Sequence, residues 1–173
     1  MDIRHHETPE LRSEATFSDC GRYRYRLSRQ WQTSGGMVNF IMLNPSKADE
    51  FSNDPTVERC ERRARAMGFG SFCVTNIFAW RDTDPFAMRK AKRPIGPAND
   101  ETLLDAAAGA DLVIAAWGVH GSHRQRGPAV HQLLTTNSFS LHHLGLTKDG
   151  HPRHPLYVPY SQIPQIWRTA TTH

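Results

Sequence analysis

Met37-Val38-Asn39-Phe40-Ile41-Met42-Leu43 runs without a charge into Asn44-Pro45-Ser46, and the reading of this stretch decides the fold. The same design recurs twice: Phe72-Cys73-Val74-Thr75 meets Asn76, and Leu112-Val113-Ile114-Ala115-Ala116 meets Trp117-Gly118-Val119-His120. Apolar, β-rich runs of this kind are strands buried on both faces, the signature of parallel sheets covered by helices. Ligands of such sheets bind beyond the carboxyl ends of the strands. The three polar motifs, joined by a fourth at His154-Pro155-Leu156-Tyr157, are therefore expected to converge on one pocket.

Upstream of this centre, Tyr23, Tyr25 and Leu27 alternate with Arg22, Arg24, Arg26 and Ser28, the period of two of a half-exposed strand. Gly35-Gly36 supplies a turn after it, so an N-terminal antiparallel hairpin is expected. Residues 1–15 are polar and read as a loosely ordered segment, leaving residues 16–173 as a single α/β domain of ordinary size. Downstream, Asp54-Pro55 opens a helix as N-cap and first helical residue; Val57, Cys60, Ala64 and Met67 form its inner face, its arginines point mostly outward, and Gly68 closes it. Asp84-Pro85 repeats the opening device. Asn99 to Gly109 and Pro128 to Thr135 read as further helices and Ser140 to Leu144 as a last strand. The expected fold is α/β, a three-layer α/β/α sandwich with a short, mainly parallel central sheet.

Lys and Arg outnumber Asp and Glu by 21 to 17 in the 173 residues, a net charge of +4. The excess is clustered at Arg59, Arg62, Arg63 and Arg65, at Arg89, Lys90, Lys92 and Arg93, at Arg124 and Arg126, and at Lys148 and Arg153. One such cluster is ordinary solvated surface; several beside strand-end loops point to a phosphate-bearing partner, nucleic acid (DNA) or a nucleotide. Arg124, Lys148 and Arg153 are the candidate phosphate contacts. Three scattered cysteines write no disulfide framework, which fits a reducing cytoplasm, and no run of 18 apolar residues marks a membrane span. His120 and His123, and His151 and His154, share a His-x-x-His spacing without Cys or Glu support, so neither metal nor organic cofactor is expected. Ser46 has no nucleophile elbow around it.

Three polar side chains carry the candidate chemistry. Asn44 is held extended by Pro45, because the residue before proline avoids the helical region; its amide either ties its own loop in an Asx-type turn or orients a ligand. Asn76 interrupts an apolar strand, where an unpaired polar group costs about 1–3 kcal/mol. It is either bonded to a neighbouring backbone or set to read a donor-acceptor edge such as O4 and N3–H of uracil. His154 is either a surface residue or a donor to an oxygen that gains negative charge.

From about Arg22 to Pro159 the chain resembles the domain-of-unknown-function family numbered sixteen forty-three. The resemblance rests on Tyr25-Arg26-Leu27, Met42-Leu43-Asn44-Pro45-Ser46, Asn53-Asp54-Pro55-Thr56, Ala116-Trp117-Gly118 and the stretch from Leu146 through Thr147-Lys148-Asp149-Gly150 to His154-Pro155-Leu156-Tyr157. The order of motifs is also similar to the uracil-DNA glycosylase superfamily. There a strand ends in a polar residue plus Pro that positions the attacking water, a later strand carries an Asn that reads the pyrimidine, a third ends in a Gly-containing turn, and a His-Pro loop stabilises the departing base. That resemblance implies a glycosylase-like fold and gives Asn44 and His154 catalytic roles. Asn76 would recognise the base, Phe51 would stack on it, and Pro45, Ser46, Trp117, Gly118 and His120 would complete the binding site. Asn44 stands where the most active branch has a carboxylate, and an amide orients a water without accepting its proton. Two rival readings remain: an enzyme of free nucleosides or nucleotides, and a non-catalytic module that recognises a modified base.

Overall fold

The computed structural model describes residues 1–168. The apolar run of the opening stretch is strand β4 (Met37–Met42), and it lies between two parallel neighbours, β5 (Ser71–Asn76) and β6 (Leu112–Ala115). Side-chain alternation along β4 divides the core in two. Val38, Phe40 and Met42 pack with Val57, Cys60 and Ala64 of helix α1 (Pro55–Ala66). Ile41 and Leu43 pack on the other side with Met88 of α2 (Pro85–Lys90), Leu103 and Ala107 of α3 (Asn99–Gly109), and Val130 and Leu134 of α4 (Arg126–Thr136). Each proline-opened helix starts as its sequence dictates: Asp54 accepts the Val57 N–H at 2.8 Å and Asp84 the Phe86 N–H at 2.9 Å.

The sheet is larger and more antiparallel than the central runs imply. Its eight strands take the order β1-β2-β3-β5-β4-β6-β7-β8, with β1 (Asp2–Glu7), β2 (Arg12–Phe17), β3 (Arg24–Gln30), β7 (His142–His143) and β8 (Gln165–Ile166) around the centre. Four junctions are antiparallel (β1/β2, β2/β3, β3/β5, β7/β8) and three parallel (β4/β5, β4/β6, β6/β7), so the expectation of a short, mainly parallel sheet is corrected to a mixed one. Parallel pairing needs a crossover helix, and the chain supplies none before α1. The first fifteen residues, expected to be loosely ordered, form β1 and most of β2. Their polar composition reflects an edge hairpin exposed to water, closed by reciprocal Thr8 and Leu11 backbone bonds.

The expected hairpin between β3 and β4 is also corrected, because β5 lies between them. Gly35-Gly36 belongs to a crossing loop: Gly70 at the entrance to β5 donates to Gly36 O and accepts from Trp31 N–H, and a Cβ on Gly70 would stand 1.9 Å from Ser34 O. On α1, Arg62 and Arg65 point outward, as expected, and pair with Glu58 and Glu61. Arg63 does not: it is buried and donates to Val158, Pro159 and Gln162 carbonyls, while Arg59 holds those of Pro155 and Val158. These two arginines fasten the C-terminal segment to the α1 face. Among the described residues no helix is long and apolar enough to cross a membrane.

Candidate functional site

A cavity of about 590 Å³ opens at the carboxyl ends of β4, β5 and β6. Its volume lies in the range of small-molecule sites, roughly 300–1,000 Å³. Asn44, Ser46, Asn76, Trp117, Gly118, His120, Arg153 and His154 all line it, so the four strand-end motifs do converge.

The loops that bring them together are stitched by backbone bonds. Asn44 Nδ2 donates to Asp82 O at 2.8 Å and to Pro45 O at 3.3 Å, and Asp82 N–H donates to Pro45 O. Both readings of Asn44 therefore meet: its N–H face ties the loops after β4 and β5, and its Oδ1 is left over as an acceptor. Pro45 is buried beneath this tie and does not line the cavity. Gly118 N–H donates to Pro152 O at 2.8 Å, which fastens the loop after β6 to the His154 loop.

Asn76 ends β5, is 1 % exposed, and neither its Nδ2 nor its Oδ1 has a hydrogen-bond partner. Its backbone carbonyl is satisfied instead by Asn99 Nδ2 at 2.8 Å, and the next carbonyl, of Ile77, by Asn99 and Arg126. The scaffold fixes the main chain and leaves the amide unmatched in the cavity wall.

His154 accepts the Leu156 N–H on Nδ1 at 3.3 Å. That bond places the imidazole proton on Nε2, because a neutral ring has one donor and one acceptor. Burial pushes its pKa down to about 4, opposed only in part by the Asp54 carboxylate. At neutral pH it is an uncharged N–H donor. His120 stands edge-on to Phe86 at 4.9 Å, and burial together with Arg89 lowers its pKa also.

Several expected binding residues are placed elsewhere. Phe51 is 67 % exposed, packs on His6 and does not line the cavity; the Asp49 turn, which accepts the Phe51 and Ser52 N–H groups, carries it outward. Arg124 donates to the Ala91 and Lys92 carbonyls and Lys148 is exposed on a turn, so of the three phosphate candidates only Arg153 reaches the cavity. Trp117 lines the wall, yet its indole is packed into the second core between Gly121 and Gly127 and against Trp167. A Cβ on Gly121 would lie 2.2 Å from Trp117 Cδ1. Gly121→Ala is thus expected to destabilise the fold by about 2–3 kcal/mol through overpacking. Urea unfolding checks it, and a change within about 0.5 kcal/mol would show that the loop yields freely.

Sequence reasoning gives no site role to Arg24, Asp54, Asp82 or Tyr157, all of which line the cavity, Tyr157 being 79 % exposed at the mouth. Asp54 and Asp82 sit in polar turns where a capping role already accounts for them. Asp82 Oδ1 accepts Asp84 N–H at 3.1 Å. Among the described residues no group of three His, Cys, Asp or Glu side chains is placed to hold a metal ion.

Fold and site define an α/β protein with a ligand-sized cavity at the carboxyl ends of its parallel strands. Residues 24–156 match the family model described as "Protein of unknown function (DUF1643)", and the chain belongs to that family. No curated protein and no solved structure is significantly similar to it. None of these comparisons carries the likeness to the uracil-DNA glycosylase superfamily.

Proposed function

We propose that the cavity binds a pyrimidine or modified pyrimidine and hydrolyses an N-glycosidic bond, on a glycosylase-like three-layer domain. The observation that carries this reading is the unpartnered amide of Asn76, a donor and an acceptor side by side in a buried wall. In this scheme Asn76 reads the base edge and His154 Nε2–H donates to the base oxygen as the C1′–N bond breaks and its electron pair leaves with the base. Asn44 Oδ1 orients the water that adds to C1′, and the Asp82 carboxylate, which an amide cannot replace, takes its proton. A cytoplasmic setting fits the buried, reduced Cys60 and Cys73.

A free nucleoside or nucleotide is the second reading, and one observation favours it over DNA. Arg124 and Lys148 do not line the cavity, so of the three residues expected to contact a phosphate backbone only Arg153 does. The experiment sets the two side by side. The protein is incubated with DNA carrying uracil or 5-hydroxymethyluracil, and separately with uridine and its 5′-monophosphate. Abasic sites in DNA, or free base from the small molecules, are expected to form about 100- to 1,000-fold more slowly in His154→Asn. Base binding without release from any of them would make the domain a recognition module, and no binding would discard the pyrimidine.

A further inference from the structure

Among the described residues three arginines are fully buried, and two are explained by the fold. Arg29 spends its guanidinium on Asn53 Oδ1 and on the Ser28, Asp49 and Ser52 carbonyls, and Arg63 holds the C-terminal segment and lies near the Tyr160 ring. Arg24 is different. Like Arg63 it leaves Nε without a partner, but it is 1 % exposed, lines the cavity and makes a single side-chain bond, Nη1 to Ala48 O at 2.9 Å. Among the described residues no carboxylate stands within 4.0 Å of it. Asp54, the nearest acid to matter electrostatically, has its oxygens engaged by Val57 and Ala48 N–H groups.

The backbone is bent to put Arg24 there. Between β2 and β3, Thr16 faces Arg26 and Phe17 faces Arg24, so Tyr25 is an extra residue in a β-bulge. A bulge reverses the side-chain alternation beyond it. Tyr25 consequently turns to the α3 side, where its hydroxyl accepts Ala98 N–H, while Arg24 turns to the α1 side and into the cavity. Without the bulge Arg24 would face away from α1. A buried charge lacking a counterion is strongly unfavourable unless something pairs with it.

We propose that Arg24 binds an oxyanion of the ligand, a phosphate or a carboxylate, at the inner wall of the cavity. Arg24 and Asn76 line the same cavity, so one molecule can present an oxyanion to the first and a heterocycle edge to the second. The ligand class is then an anionic one, a nucleotide or a pyrimidine carboxylate. This rests on the cavity being the ligand site, and its test uses no base.

Melting temperature is measured in millimolar phosphate, acetate and chloride at equal ionic strength, for the parent chain, Arg24→Met and Arg24→Lys. Phosphate or acetate is expected to raise the parent's melting temperature by several degrees over chloride; a response to phosphate alone assigns a phosphate ester, to acetate alone a carboxylate. Arg24→Met should melt no lower than the parent in chloride and lose the anion response. Arg24→Lys keeps the charge without the planar fork and should need about tenfold more anion. If Arg24→Met does not fold, the lysine variant decides. No anion response in the parent, or an undiminished one in the variants, overturns the proposal. An anion response without uracil binding would discard the pyrimidine reading and leave Arg24 in place.

Discussion

Asn76→Leu is expected to raise the stability of the protein and abolish its binding of pyrimidines. Both amide atoms of Asn76 are buried without partners, a condition that costs about 1–3 kcal/mol in the unliganded fold. Leucine has a similar volume and no polar atom, and it removes that cost while the β5 backbone keeps its bonds to Asn99 and to β4. A gain of about 1–2 kcal/mol, or roughly 2–8 °C in melting temperature, follows for a chain of this size. Affinity moves the opposite way. A site built to pair with a ligand's donor and acceptor loses at least about 100-fold when those groups face a methyl instead. Calorimetric melting and uracil titration check the two halves separately. A destabilised variant would mean that the amide is a structural anchor after all.

How far the sequence led can be judged on particular residues. The strands β4, β5 and β6 and the starts of α1 and α2 were legible because uncharged runs and Asp-Pro caps are local signals. The convergence of Asn44, Asn76, Gly118 and His154 followed from one general property of parallel strands, that their carboxyl ends share an edge. What was illegible depends on long-range pairing. Polar strands such as β1 form because β2 offers an edge, and nothing in Asp2 to Glu7 announces a partner. The insertion of β5 between β3 and β4 is invisible to a reading that lets Gly35-Gly36 close a hairpin. Arg24 is the sharpest case. Strict alternation puts its side chain on the exposed face, and a single-residue bulge, set by pairing with β2, reverses it. Part of the arginine clustering has a related origin: Arg59, Arg63, Arg124 and Arg126 bind carbonyls of distant segments and so act as tertiary cross-links.

His154→Asn separates the chemistry of the imidazole from its structural role. Asparagine retains an oxygen near the position of Nδ1 and so can still accept the Leu156 N–H, as a good N-cap does. It has no counterpart of Nε2–H. Loss of one donor to a developing anion reduces turnover by about 100- to 1,000-fold. The pH behaviour gives a second, independent readout. The unfolded chain protonates this ring near its ordinary value of 6.5, and burial delays protonation in the folded protein until about 4. Between these limits the unfolded state holds more protons, so the contribution of His154 to stability is complete above pH 6.5 and is lost as the pH falls toward 4. Protonating the ring only at about 4, where the free side chain does so at 6.5, makes that loss about 3 kcal/mol at most. The asparagine variant, with nothing to titrate, should lose less stability than the parent over this interval. His131, His142 and His143, whose pKa values burial also lowers, remain in both proteins and cancel in the difference. Turnover by the parent should show no inflection near pH 6.5 arising from this group, because the neutral ring is the working form throughout. A rise in activity as the pH falls through 6.5, present in the parent and absent in His154→Asn, would mean that the protonated imidazole does the work and that the Nε2–H donor has been misread.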